Sequence, residues 1–170
     1  MNDSLTKRPK IEVPLTGGER ALRLATLLLL IGTIVYLAVN WESLPSRIAT
    51  HFNGKGEADG WGSKWTLWIL PAISAVLYAG LTWLTRFPHV FNYPVAITEL
   101  NAVKQYSLAR QLVGWMNLEI VALFGYVVIA IVQMAKGGGG GGIGIGALPI
   151  ILVVLFGTIG AYILRAIKAR

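Results

Sequence analysis

Apolar residues gather into four long blocks, and the stretches between them differ in kind. Residues 21–41 read ALRLATLLLLIGTIVYLAVNW, with one cation and no acidic side chain, and residues 65–84, 115–134 and 147–164 are of similar length and character. A helix rises about 1.5 Å per residue, so about 20 apolar residues cross a hydrocarbon core of about 30 Å. The pattern predicts four transmembrane helices. Pro71 lies inside the second block, where loss of a hydrogen bond to the Leu67 carbonyl predicts a kink. Pro149 falls in the first turn of the fourth, where proline is tolerated. No small-residue cleavage site follows the first block, which is therefore expected to stay as an anchor.

The intervening stretches carry the rest of the pattern. Residues 42–64 are polar, hold Gly54, Gly56, Gly60 and Gly62 and one of the two histidines. They are longer than a simple connection needs, which predicts a folded loop. Residues 1–20 are polar and broken by Pro9 and Pro14, as in a mobile tail. Thr98 and Glu99 predict a helix start, a hydroxyl cap followed by an anion at the positive end of the dipole. Beyond them Leu100, Val103, Leu108, Leu112 and Trp115 alternate with Lys104, Gln105, Arg110 and Gln111. That spacing predicts an amphipathic helix at the membrane surface, or an extension of the third span. Six glycines in succession within residues 136–146 predict a flexible loop and carry no functional reading. The chain divides into a tail, 1–20, and one four-span domain, 21–170.

Composition agrees with this class. The chain of 170 residues is 55% hydrophobic and 14% charged, with a mean hydropathy of +0.62; soluble domains carry about 25% charged residues. The net charge of +7 is not read as a nucleic-acid footprint, because the cations flank apolar segments. Lys7, Arg8, Lys10, Arg20, Arg23, Arg86, Lys104, Arg110, Arg165, Lys168 and Arg170 fall on one side of the predicted bundle, eleven in all. Arg47, Lys55, Lys64 and Lys136 make four on the other. The positive-inside rule then places both termini in the cytoplasm and residues 42–64 outside, in a multi-pass cell membrane protein. Trp41, Trp61, Trp65 and Trp68 would form the outer aromatic belt, with Trp83 and Trp115 at the inner one. There are no cysteines, so no disulfide and no thiolate chemistry.

Candidate chemistry is sparse. Glu119 is the one acidic residue within a predicted span, and Tyr126 shares its helical face. It is expected to pair with one of Arg20, Arg23, Arg86 or Arg165, all at the same level; the alternative is a proton or cation site. His51 and His89 fall on opposite sides of the membrane. His51, Glu57 and Asp59 match no recognised zinc or calcium spacing, so no metal, cofactor or catalytic group is assigned. Within the loop, Ile48 and Phe52 are expected to dock on the span ends. Arg47, Lys55, Glu57, Asp59 and Lys64 offer charges of both signs, either as a self-paired cap or as a recognition surface for a peptide or protein.

The stretch LPSRIATHFNGKGEADGWGSKWTLWILP resembles the signature of a membrane domain found in SdpI-type immunity proteins. The matching residues are Leu44, Pro45, His51, Phe52, Asn53, Gly56, Asp59, Gly60, Trp61, Lys64 and Pro71. NYPVAITELNAVKQYSLARQL, with Asn92, Tyr93, Pro94, Asn101 and Arg110, resembles the family's inner segment, so that the likeness covers about residues 22–115. It implies a bacterial integral membrane protein, without catalytic residues, that protects a cell from its own secreted toxic peptide and holds a regulator at the membrane.

The expected protein is an all-α, four-span, non-enzymatic membrane protein of a prokaryotic cell membrane. Recognition is expected at Arg47, His51, Phe52, Asn53, Glu57, Asp59, Trp61 and Lys64. Its partners would be the lipid bilayer, a secreted peptide toxin and a membrane-recruited regulator, with no nucleic acid. Two alternatives stay open: a small oligomeric transporter or channel subunit resting on Glu119 and Tyr126, with Gly157 and Gly160 allowing close helix contact, and a structural subunit of a larger complex.

Overall fold

The first helix, α1 (Gly17–Asn40), begins where the chain satisfies its own free amides. Thr16 Oγ1 accepts from the Glu19 N–H at 3.2 Å, and Glu19 Oε2 accepts from the Thr16 N–H at 2.8 Å, a reciprocal capping box. Helix α1 runs into a 3-10 turn, Trp41–Ser43, and the chain then forms an antiparallel hairpin of β1 (Arg47–Phe52) and β2 (Ala58–Ser63). A second 3-10 turn, Lys64–Trp68, leads into α2 (Ile69–Leu84). After a third, Pro88–Val90, come α3 (Ala102–Ala135) and α4 (Ala147–Lys168). The structure is a computed structural model and describes residues 8–137, 142–144 and 146–170.

The four helical stretches Gly17–Ser43, Lys64–Leu84, Ala102–Ala135 and Pro149–Lys168 are each long and apolar enough to cross a bilayer. The protein is an all-α, multi-pass membrane protein with one small two-stranded sheet. Helix α3 is its centre, with α1, α2 and α4 packed on it, and α4 rests chiefly on α3. Two glycines let α1 approach. A Cβ at Gly114 would lie 2.8 Å from Leu22 Cδ2, and one at Gly125 would lie 2.8 Å from Thr33 Oγ1.

Several expectations are corrected. Pro71 falls in the first turn of α2, as its third residue, where first-turn amides lack helical partners, so its missing N–H lies beside the change from 3-10 to α-helix within the span Lys64–Leu84. Of the two arrangements expected for residues 99–115, a surface helix or an extension of the third span, the second is found. Helix α3 is continuous over 34 residues, about 51 Å at 1.5 Å each, and it starts at Ala102. Thr98 and Asn101 exchange side-chain-to-backbone hydrogen bonds of 2.9 and 3.3 Å just before it. Burial there does not sort by polarity: Leu108 is buried and Lys104 exposed, as the pattern predicts, but Val103 is exposed. Gln105 and Arg110 are buried at 0% and 6% exposure, whereas Leu100 is 99% exposed. A Cβ at Gly157 or Gly160 would meet no other described atom of the chain within 4 Å.

The two ends of the bundle differ. At the hairpin end, Leu37, Leu44, Ile48, Leu67, Val128, Ile131 and Val132 form an apolar core, with Phe52, Trp41 and Trp68 packed against it. Trp41 lies 4.8 Å from Trp65 and 5.7 Å from Trp68, ring centre to ring centre. At the opposite end, which holds the start of α1 and the end of α4, the interior is polar and contains Glu19, Thr26, Thr85, Gln105, Arg110 and Asn117. Six glycines expected to form a loop lie largely outside the described residues, although Gly142 bridges to Glu57 and the Ile143 N–H donates to the Gly56 carbonyl at 2.8 Å.

Candidate functional site

The hairpin caps one end of the bundle, and most of its distinctive residues serve to hold it there. Ile48 and Ala49 are buried against the helices, and Leu44 joins the core. Lys64 Nζ donates to the Trp41 and Leu44 carbonyls at 3.1 and 3.3 Å and lies 4.6 Å from the Trp41 ring centre. It satisfies carbonyls left over where α1 ends, which bare lysine charge at a helix C-terminus does well. Asn53 organises the turn: its Oδ1 accepts from the Lys55 and Glu57 amides at 2.9 and 3.1 Å, and its Nδ2 donates to Glu57 Oε2 at 2.9 Å. Gly56 adopts φ +80°, which a side chain disfavours. A Cβ at Gly60 would sit 2.8 Å from the His51 Cβ, so glycine there makes room for the histidine.

What remains faces away from the bundle. His51 Nδ1 and Asp59 Oδ1 lie 2.5 Å apart across the hairpin, with side chains 72% and 44% exposed. Trp61, two residues beyond Asp59 and so on the same strand face, is exposed. Arg47 Nη2 makes a 3.5 Å contact with the Trp61 carbonyl. His51 and Asp59 therefore come together while Glu57 is drawn off to Asn53. Among the described residues no three His, Asp or Glu side chains gather as metal ligands would. The hairpin offers a paired imidazole and carboxylate beside an indole, a surface for hydrogen bonding and apolar contact.

The opposite end is built around Arg110. Its Nε donates to Glu19 Oε1 at 2.9 Å, its Nη1 to the Val13 carbonyl at 2.5 Å, and its Nη2 to the Pro14 carbonyl at 3.0 Å. Residues 8–16 are thus not a free tail but a strap laid over the start of α3; residues 1–7 of the expected tail lie outside the described residues. Tyr106 donates to the Pro9 carbonyl at 2.8 Å, and Arg8 donates to the His89 and Phe91 carbonyls at 3.3 and 2.5 Å. Arg8 also lies 5.4 Å from the Tyr93 ring centre. Tyr93 donates to the Pro88 carbonyl at 2.7 Å. Burial pushes its phenol well above the usual tyrosine range, with Tyr162 and Tyr106 adding to the rise and Arg8 and Arg110 opposing it. Asn92 and Pro94 are exposed beside it.

Glu119 departs from the expected ion pair. No cation lies within 4.0 Å of it among the described residues. Its Oε1 accepts from Thr158 Oγ1 at 2.5 Å, and its Oε2 is shielded with no partner. Tyr126, two turns along α3, donates to the Ile143 carbonyl at 2.6 Å. Both line a furrow between α3 and α4.

Sequence reasoning missed Glu19 and the strap. Thr16-x-x-Glu19 before an apolar run is a legible capping signature, but nothing in the pattern pairs Glu19 with a residue 91 positions away.

These features define a helical membrane protein capped at one end by a hairpin and strapped at the other. Residues 28–75, which take in most of α1, the hairpin and the start of α2, match a domain of unknown function, DUF1648. The chain is also similar to an uncharacterized protein of Archaeoglobus fulgidus, 28% identical over 100 residues, which make up 54% of this chain and 55% of that protein. The chain thus spans about half the length of the curated relative it matches. No solved structure matches it.

Proposed function

We propose that the chain is a non-enzymatic, SdpI-like membrane protein that acts in immunity to a secreted peptide toxin or in membrane signalling. It sits in a prokaryotic cell membrane with both termini cytoplasmic and the hairpin outside. The hairpin recognises the peptide, and the strapped end docks a regulator. One observation carries the reading: the signature residues divide into those that fix the hairpin to the bundle, such as Leu44, Asn53, Gly56 and Lys64, and an outward group, His51, Asp59 and Trp61. A rigidly docked loop with an exposed aromatic and an exposed polar pair is the kind of place where recognition residues sit.

Alanine at His51, Asp59 or Trp61 is expected to cut survival of expressing cells at least tenfold under challenge with the secreted peptides of the producing strain, while membrane insertion and thermal stability stay near those of the parent. Survival unchanged in all three variants rejects the reading.

Glu119 supports a second reading, a small transporter or channel subunit. A carboxyl group with no cationic partner inside a membrane span is costly unless it serves a ligand or ion. Flux through reconstituted vesicles that is lost in Glu119→Gln supports it, and absence of flux overturns it.

A further inference from the structure

Helices α3 and α4 run antiparallel and touch where Gln105 Nε2 donates to the Ala166 carbonyl at 2.8 Å and where Thr158 Oγ1 donates to Glu119 Oε1. Between them lies a cleft of about 430 Å³, lined by Trp115 and Glu119 from α3 and by Thr158, Tyr162 and Arg165 from α4. Small-molecule sites occupy roughly 300–1,000 Å³. Towards the hairpin end the cleft continues into a furrow of about 210 Å³ walled by Leu123, Ile150 and Leu155.

We propose that this cleft binds a small zwitterion with an apolar body, either a free apolar amino acid or a short apolar peptide with both termini unblocked. The ammonium group meets the Glu119 carboxyl group, the carboxylate meets Arg165, and the apolar part lies along the furrow.

Two observations lead there. Glu119 has one oxygen held by Thr158 and the other shielded without a donor, so the missing partner is a donor, best a cation. Arg165 lines the same cleft yet makes no ion pair with Glu119 within 4.0 Å. The two charged heads are therefore separated, not mutually satisfied.

The separation is also bounded from above. Arg165 lies seven residues beyond Thr158, about 10 Å along α4. Cα–Cβ bonds tilt towards the helix N-terminus, so in antiparallel helices the two side chains lean towards each other and their heads are closer than that. Two charge-assisted hydrogen bonds of about 2.8 Å leave space between them for one extended residue, about 3.3 Å, or a compact dipeptide. Trp115 and Tyr162 add aromatic side chains to the lining of the same cleft.

The order of groups argues against a phospholipid. A zwitterionic phospholipid carries its ammonium farther from the acyl chains than its phosphate. Here Arg165 stands at the strapped end and Glu119 lies next to the apolar furrow, which reverses that order.

The inference deepens the transporter reading by naming a ligand class, but it requires binding only. The full chain in nanodiscs is titrated with leucine, dileucine, N-acetyl-leucine and leucinamide by calorimetry. Saturable binding of leucine or dileucine is expected, with at least tenfold weaker binding of both blocked compounds. Tighter binding of leucine assigns an amino acid, and tighter binding of dileucine a peptide. Glu119→Gln is expected to weaken leucine at least tenfold and erase the difference from N-acetyl-leucine. Arg165→Gln is expected to erase the difference from leucinamide. Should Glu119→Gln fail to insert, Thr158→Val, which frees the carboxyl group without removing it, is expected to weaken binding severalfold. No saturable binding of either unblocked ligand, equal binding of blocked forms, or full displacement by phosphatidylethanolamine overturns the proposal. Binding without flux in vesicles upholds the site and rejects transport.

Discussion

Arg110→Ala is expected to destabilise the protein by about 3–5 kcal/mol, the cost of stranding one member of a buried ion pair. Arg110 and Glu19 have side chains only 6% and 4% exposed, 2.9 Å apart. Alanine leaves the Glu19 carboxylate buried with the Thr16 amide and hydroxyl as its remaining partners. It also strands the Val13 and Pro14 carbonyls, which releases the strap. Thermal unfolding in detergent and protease cleavage within residues 9–15 measure both effects. Glu19→Gln with Arg110→Met is expected to cost less than the two single changes added together, because neither charge is then left alone. Full additivity would show that the pair is not coupled.

Ile48→Ala ranks next, at about 2–5 kcal/mol. Ile48 is 1% exposed and sits between the hairpin and the cluster of Leu37, Leu67 and Val128. Strand β1 meets α3 over few residues, so one buried side chain carries much of the docking. The cavity it leaves should loosen the hairpin before the helices separate. Protease sensitivity at residues 53–57 is expected to rise while helical circular dichroism at room temperature stays unchanged. A hairpin as protected as the parent's would mean that Lys64 and its carbonyl contacts hold it alone.

The spans were legible in the sequence because a bilayer allows little else. Every backbone amide must be satisfied inside the segment, so a long apolar run is a helix. The hairpin was less legible. Its strands are short, and β2 contains two glycines, Gly60 and Gly62, whose purpose appears only when His51 and Thr50 are seen opposite them. Of the signature residues there, Asn53 and Lys64, expected to recognise a partner, hold the hairpin and helix end together.

Long-range polar pairing was the least legible. Arg110 looked like part of a polar helix face, and only the fold sets Glu19 and the strap against it. Glu119 was assigned an arginine by level along the membrane normal. Level does not fix azimuth, and Thr158 of α4 occupies the position instead. Tyr126 and Glu119 do share one face, as their seven-residue spacing implies, because that inference needs only the helix period.

The central proposal is that the hairpin presents His51, Asp59 and Trp61 to the outside of the cell while the strapped end stays inside. The chain has no cysteine, so single thiols report position without background. Lys55→Cys places one in the exposed hairpin turn, and Lys168→Cys places one at the end of α4. With a membrane-impermeant maleimide, Lys55→Cys is expected to label in intact cells and Lys168→Cys only after permeabilisation. Labelling of Lys168→Cys alone in intact cells would put the hairpin in the cytoplasm and contradict the account.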